Sequence, residues 1–182
     1  MDYQEKIVTL KDGTECRICS PKKKDAAQIL EHMKIITEET HHMIRYPDEI
    51  EKNLEEEEQC LEEFLKSETD LMIAAFIGDE LAGNAKIFSV GTCKKIRHRA
   101  VFVVSVKKKY WGRGIGWTLL QAIIGEAKKM GYDQLELNVF SDNKSARALY
   151  TKAGFEEWGC IKNAFRLKNG SRYDAIVMGK IL

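Results

Sequence analysis

VFVVSVKKKYWGRGIG, residues 101–116, passes from β-branched and aromatic residues through three lysines to Gly112, Gly114 and Gly116. The apolar positions Ile115, Leu119, Leu120, Ile123 and Ala127 then recur at helical spacing. This order predicts a strand, a glycine-rich turn and the start of a helix. Glycine lets the backbone approach a bulky anion, and the first N–H groups of a helix, at the positive end of its dipole, point into such a turn. The stretch therefore reads as a phosphate cradle. A dinucleotide fingerprint would need a third glycine where Trp117 stands, and a nucleotide P-loop would need Gly-Lys followed by Ser or Thr. Neither pattern is met.

A second stretch, DNKSARALYTKAGF at 142–155, follows the strand-like run LELNVF. Asn143, Ala146 and Tyr150 are spaced i, i+3 and i+7, which places them on one helix face. Together the two stretches resemble the cofactor motifs of the GNAT superfamily of acyl-CoA N-acyltransferases. The first motif there is Arg/Gln-x-x-Gly-x-Gly/Ala closing an apolar strand, and the second is Asn-x-x-Ala-x-x-Leu-Tyr, then Gly-Phe. Gly114 and Gly116 fill the glycine positions, and Trp111 stands where Arg or Gln is usual. The motifs match over residues 70–182, and the N-terminal part matches by layout only.

The resemblance implies one α/β domain over residues 1–182, with a mixed, mostly antiparallel central sheet, splayed strands 4 and 5, and helices on both faces. It implies transfer of an acetyl group from acetyl-CoA to a primary amine. Direct attack is expected because no cysteine falls in either motif. By the same resemblance, the backbones of Val104 and Val106 would pair with pantetheine. The turn Gly112, Arg113, Gly114, Ile115 and Gly116 would hold the pyrophosphate, with Asn138, Asn143 and Ala146 also lining the cofactor. Tyr150 would be the general acid. The strand HRAVFVVSV carries no Asp or Glu, so the base is left open among His98, a His or Glu in residues 38–49, and a water chain. The acceptor would be a small-molecule amine or a peptide N-terminus, and a homodimer is admitted. The alternative is a non-catalytic CoA-binding sensor or structural subunit with the same fold.

Composition narrows the rest. Lys+Arg 29 against Asp+Glu 28 leaves no global field to draw the chain to nucleic acid or a membrane surface. No apolar run is long enough to span a bilayer and MDYQEKIVTL has no signal-peptide core, so a cytoplasmic protein is expected. Five scattered cysteines read as reduced thiols. Cys16-x-x-Cys19 lacks the second pair that a zinc site wants, so no metal is expected.

In chain order, residues 5–19 read as two alternating runs about Asp12-Gly13, and Ser20-Pro21 as a helix cap and first turn. Ala26, Ile29, Leu30, Met33 and Ile36 form one apolar helix face. The polar loop with Thr40, His41, His42, Arg45 and Tyr46 would lie over the acceptor end of the cleft. Asp48 to Leu65 reads as an acidic helix whose Glu55 to Glu58 face solvent. Hairpins are expected about Gly78-Asp79-Glu80 and Asn169-Gly170, and Lys107 to Lys109 as a positive rim for a polyphosphate cofactor.

Overall fold

Period-two alternation decides which face of each strand meets which helix. The computed structural model describes all 182 residues. Its strands are β1 (Lys6–Thr9), β2 (Glu15–Cys19), β3 (Leu71–Ile77), β4 (Glu80–Ser89), β5 (Arg99–Val106), β6 (Gln134–Phe140), β7 (Glu156–Arg166) and β8 (Arg172–Ile181). The helices are α1 (Ala26–Glu39), α2 (Leu54–Lys66), α3 (Ile115–Lys129) and α4 (Lys144–Lys152). One sheet takes the order β1-β2-β3-β4-β5-β6-β8-β7. Ala100, Phe102, Leu135, Leu137 and Val139 face α3 and α4 in the main core. On the other face, Ala74, Phe76 and Leu81 pack against Ala26 and Ile29 of α1 and Leu61 of α2.

All pairs are antiparallel except β5 with β6, which is parallel and has only three rungs, ending at Val101 opposite Glu136. Beyond that point β5 stays on β4 as far as Val106 opposite Gly83, while β6 stays on β8 as far as Phe140 opposite Ala175. The two central strands therefore part into a V. The splay falls between the fifth and sixth strands of this chain, because residues 5–19 make a two-strand hairpin ahead of the rest.

Three local expectations need correction. Ser20 caps no helix: its hydroxyl donates to the Met72 carbonyl and accepts from the Tyr3 N–H, while α1 begins later, after a 3-10 turn at Lys23–Asp25. Glu57 does not face solvent; it is 1% exposed and bonded by Lys52 at 3.1 Å. The helix starts at Leu54 behind an Asn53 cap, which turns Glu57 inward. Nor do Lys107 and Lys109 form a free rim, since both ammonium groups are bound to Glu80. Cys16 and Cys19 lie in opposite cores, three residues apart on a strand, so their thiols cannot share one metal ion.

Two predictions concern this framework. A Cβ on Gly83 would lie 2.7 Å from the backbone oxygen of Ser105, so β4 and β5 approach too closely for any side chain. Gly83→Ala should lower stability by about 1–3 kcal/mol, read as a drop in urea midpoint. Glu80 accepts hydrogen bonds from Lys109, Lys107 and the Tyr110 hydroxyl, which hold its pKa at about 2. Its folded-state value is depressed below the ordinary ~4.3, so its contribution is complete above that pH and is lost as pH falls from about 5 towards 2. The side chain is 40% exposed, and screening limits the effect to about 0.2–1 kcal/mol. Glu80→Gln should flatten the acid limb of a plot of urea midpoint against pH by that amount.

Candidate active site

The glycine turn is built as a cradle. Gly112 and Gly114 have φ of +78° and +100°, in the left-handed region that glycine enters without strain, and Gly114 is the N-cap of α3. The first intrahelical bond runs from the Thr118 N–H to the Gly114 carbonyl, so the N–H groups of Ile115, Gly116 and Trp117 have no intrahelical partner. A Cβ on Gly116 would sit 3.4 Å from Leu149 of α4, so the absence of a side chain lets α3 approach α4 at the mouth of the V. Arg113 does not point its guanidinium into the turn. It bonds Asp12 and Thr14, and its carbonyl accepts from the Lys11 N–H at 3.3 Å, so the β1–β2 hairpin pins the turn from behind.

Backbone alternation places the edge of β5. Lys107 N–H donates to Ala82 and Arg99 carbonyl accepts from Val90, so odd-numbered residues bond across to β4. The even-numbered Phe102, Val104 and Val106 then turn their N–H and C=O groups toward the V. Trp111, the residue that departs from the motif, donates its indole N–H to the Val106 carbonyl at 2.7 Å. This closes the strand end and leaves the Val104 groups and the Val106 N–H unpaired.

Tyr150 lies in the core beside this gap, its ring edge-on to Phe102 and tilted against Phe155 at centroid distances of 6.1 and 5.9 Å. Burial alone pushes its phenol well above the usual value, so it is held protonated. Asn143 caps α4, its side-chain oxygen accepting from the Ala146 N–H at 3.2 Å, which fixes the helix that carries Tyr150. Ala146 packs at the edge of the same core.

Asn138 opens on the opposite face, exposed on β6 between Glu136 and Phe140. There Val103 is 45% exposed and Ser105 is bonded to the buried His32 of α1 (Nε2 to Oγ, 2.8 Å). Desolvation lowers the His32 pKa to about 3, so this imidazole stays neutral while it locks α1 to β5. The loop after α1 reaches the end of β6. His41 Nε2 lies 2.8 Å from Asp142 Oδ2, and His42 Nε2 lies 3.3 Å from Oδ1, with both rings against Phe140. Burial, with His41 second, holds His42 below the ordinary histidine value. His98 sits at the closed end of the V, its carbonyl accepting from the Asp133 N–H, whereas the structure brings the loop histidines to the β6 side of the open end and Glu39 to the β5 side, where its carboxylate accepts from the Lys108 N–H at 2.7 Å. Sequence reasoning missed Asp142, Ser105 and His32, because their partners lie 101 and 73 residues away and no spacing rule links them.

The chain thus joins a glycine turn with three free helix N–H groups to a sheet that parts beside it, with a buried phenol in the adjoining core. Residues 33–155, more than half of the chain, match the family model described as "Acetyltransferase (GNAT) family". The chain belongs to the GNAT family. Among curated relatives, the [ribosomal protein bS18]-alanine N-acetyltransferase of Haemophilus influenzae is 34% identical over 104 residues, 57% of this chain and 70% of that one. The L-amino acid N-acetyltransferase AaaT of Escherichia coli is 31% identical over 110 residues, 60% and 67% of the two chains. A solved GNAT acetyltransferase from Streptococcus pneumoniae superposes with TM-score 0.87 at 28% identity, covering 92% of this chain and 99% of that one. The fold is also that of yncA from Salmonella typhimurium, solved with acetyl-CoA (TM-score 0.80, 20% identity, 91% and 92% covered). This GNAT protein is therefore an N-acetyltransferase that uses acetyl-CoA. None of its helices is long and apolar enough to cross a membrane.

Proposed function

We propose that this enzyme moves the acetyl group by direct attack of an amine on acetyl-CoA bound across the V, with Tyr150 as general acid. The observation that carries this reading is the unpaired edge of β5 at Val104, between the anion cradle and the buried phenol. The N–H groups of Ile115, Gly116 and Trp117 take the pyrophosphate, with Gly112 and Gly114 giving the turn its shape. The pantetheine amides pair with Val104 and the Val106 N–H, and a β5 N–H polarises the thioester carbonyl.

A neutral amine nitrogen attacks the carbonyl carbon, the C–N bond forms, and collapse of the tetrahedral intermediate breaks C–S. The departing thiolate takes the Tyr150 proton, and the proton lost by nitrogen leaves toward solvent on the open face. A phenol near ~10 is a weaker acid than a thiol near ~8.5 in water. Burial makes the phenol a weaker acid still, so Tyr150 acts by donating its O–H to the sulfur as negative charge builds there, and the proton it passes to the thiolate is replaced from solvent, which leaves the free CoA thiol and a protonated Tyr150. His41 and His42, held by Asp142, stand where an amine's proton would leave.

The acceptor is an amine on a small molecule or a peptide N-terminus, as the two named relatives would have it for themselves. The free thiols fit a reducing cytoplasm. The outer edge of β7, exposed along its length except at Phe165, is where two copies would pair, and sedimentation velocity would read such a dimer. The test of the main reading is calorimetric titration with acetyl-CoA, followed by thiol release over a panel of amines. Binding and amine-dependent release are expected; absence of acetyl-CoA binding would overturn it.

A further inference from the structure

A turn at His41 and His42 brings both rings to one side of the chain, where an extended strand would send them apart. Their centroids lie 4.2 Å from each other. Both converge on Asp142, just past the end of β6 and 101 residues from His41. His41 Nε2 lies 2.8 Å from Oδ2, and His42 Nε2 lies 3.3 Å from Oδ1. The second of these nitrogens is buried and makes no hydrogen bond. The other nitrogen of that ring, Nδ1, lies 3.0 Å from the Thr40 hydroxyl, which fixes its orientation. His41 stacks on Tyr173, and both rings pack against Phe140.

An ion pair needs only one of these rings. Two imidazoles and one carboxylate are, however, a set of three protein ligands that zinc accepts, with water in the fourth position. The distances suit such an ion, because one ligand atom from each residue lies within 4.8 Å of the other two. Bonds of about 2.0–2.2 Å at tetrahedral angles set neighbouring ligands roughly 3.3 Å apart, so no pair has to close by more than about 1.5 Å. The Thr40 contact at Nδ1 is the kind of outer bond that orients a ligating histidine. An entry path exists, since the His41 and Asp142 side chains are 39% and 37% exposed. Imidazole nitrogens select zinc and its transition-metal neighbours over magnesium or calcium. The expectation of no metal came from the cysteines, and no linear spacing joins His41 and His42 to Asp142.

We propose that His41, His42 and Asp142 bind one divalent transition-metal ion of the zinc class, which clasps the loop after α1 to the end of β6. The site stands independently of the route taken by the acetyl group.

The experiment titrates the whole chain, stripped with EDTA and kept reduced, with ZnCl2 by calorimetry and with CoCl2 by visible absorption. A single equivalent of zinc should bind in the micromolar range or tighter. Cobalt should give the visible bands of a four-coordinate site without the near-ultraviolet thiolate band that cysteine ligands would add. Asp142→Asn and His42→Gln should each weaken binding by at least about 10-fold. Replacing the two exposed thiols, Cys93→Ser with Cys160→Ser, should leave it unchanged. Zinc should also slow amide exchange over residues 40–46 in the wild-type chain and not in Asp142→Asn. Circular dichroism checks that the variants fold; if one does not, the imidazole nitrogen shifts of His41 and His42 on adding zinc to the wild-type chain decide, and both should move. No saturable binding below millimolar zinc, a thiolate band, affinity unchanged in the Asp142 and His42 variants, or imidazole shifts that stay still would each overturn the site. Binding that leaves exchange over residues 40–46 unaltered would overturn the clasp.

Discussion

Tyr150→Phe should lower kcat by about 10²–10⁴-fold, the usual contribution of a positioned general acid, while acetyl-CoA affinity stays within a factor of about two. The expectation rests on how the phenol is held. Its ring is clamped between Phe102 and Phe155, and the variant keeps those contacts, so the cavity left is no larger than a hydroxyl. Only the proton is lost. The split between kcat and affinity is the measurement that matters, because a purely structural tyrosine would show a lower melting temperature and a weaker cofactor complex together. Wild-type turnover in a chemistry-limited assay would return Tyr150 to the core.

Gly114→Asp should weaken acetyl-CoA binding by at least about 100-fold, or ~2.7 kcal/mol, by calorimetry. The new carboxylate would stand at the N-terminus of α3, where the helix dipole favours a negative charge, and would occupy the place of the pyrophosphate. The nearest atoms to a Cβ there are side-chain carbons of Lys11 at 3.5 Å and beyond, so the chain has room to fold. The left-handed backbone costs a side chain about 1–2 kcal/mol, which Asp and Asn tolerate better than most. Gly114→Asn carries that strain without the charge, and it should bind markedly better than the aspartate variant. Unchanged affinity in Gly114→Asp would remove the cradle from the cofactor site.

The elements proposed to hold the cofactor were legible in the sequence because each is local. A glycine turn, the helix behind it and the Asn143-to-Tyr150 segment each declare themselves within some sixteen residues. Val104 and Val106 were named by the resemblance, and the ladder to β4 leaves the backbone groups of the even-numbered β5 residues on the side of the V. Roles of individual side chains were less legible. Arg113 and Asn143 stand in the cofactor motifs, yet the first holds the β1–β2 hairpin and the second caps α4. Lys107 and Lys109 look like a phosphate rim until Glu80, 27 and 29 residues earlier, is seen to bind both. The acceptor half was least legible. Asp142 acquires meaning only when the loop after α1 folds back to the end of β6, and nothing in its local sequence marks it.

The parting of β5 and β6 leaves a ladder that stops midway across the sheet. A bound pantetheine arm would supply the missing rungs, so the acyl donor acts as a structural strand as well as a reactant. A ligand present at a hundred times its Kd stabilises the folded state by about 2.7 kcal/mol, or roughly 5–10 °C in Tm for a chain of this size. Amide exchange at Val104 and Val106 should slow with it. Such a protein would be most resistant to unfolding and proteolysis when acetyl-CoA is plentiful, so its lifetime would follow the cell's supply of activated acetate.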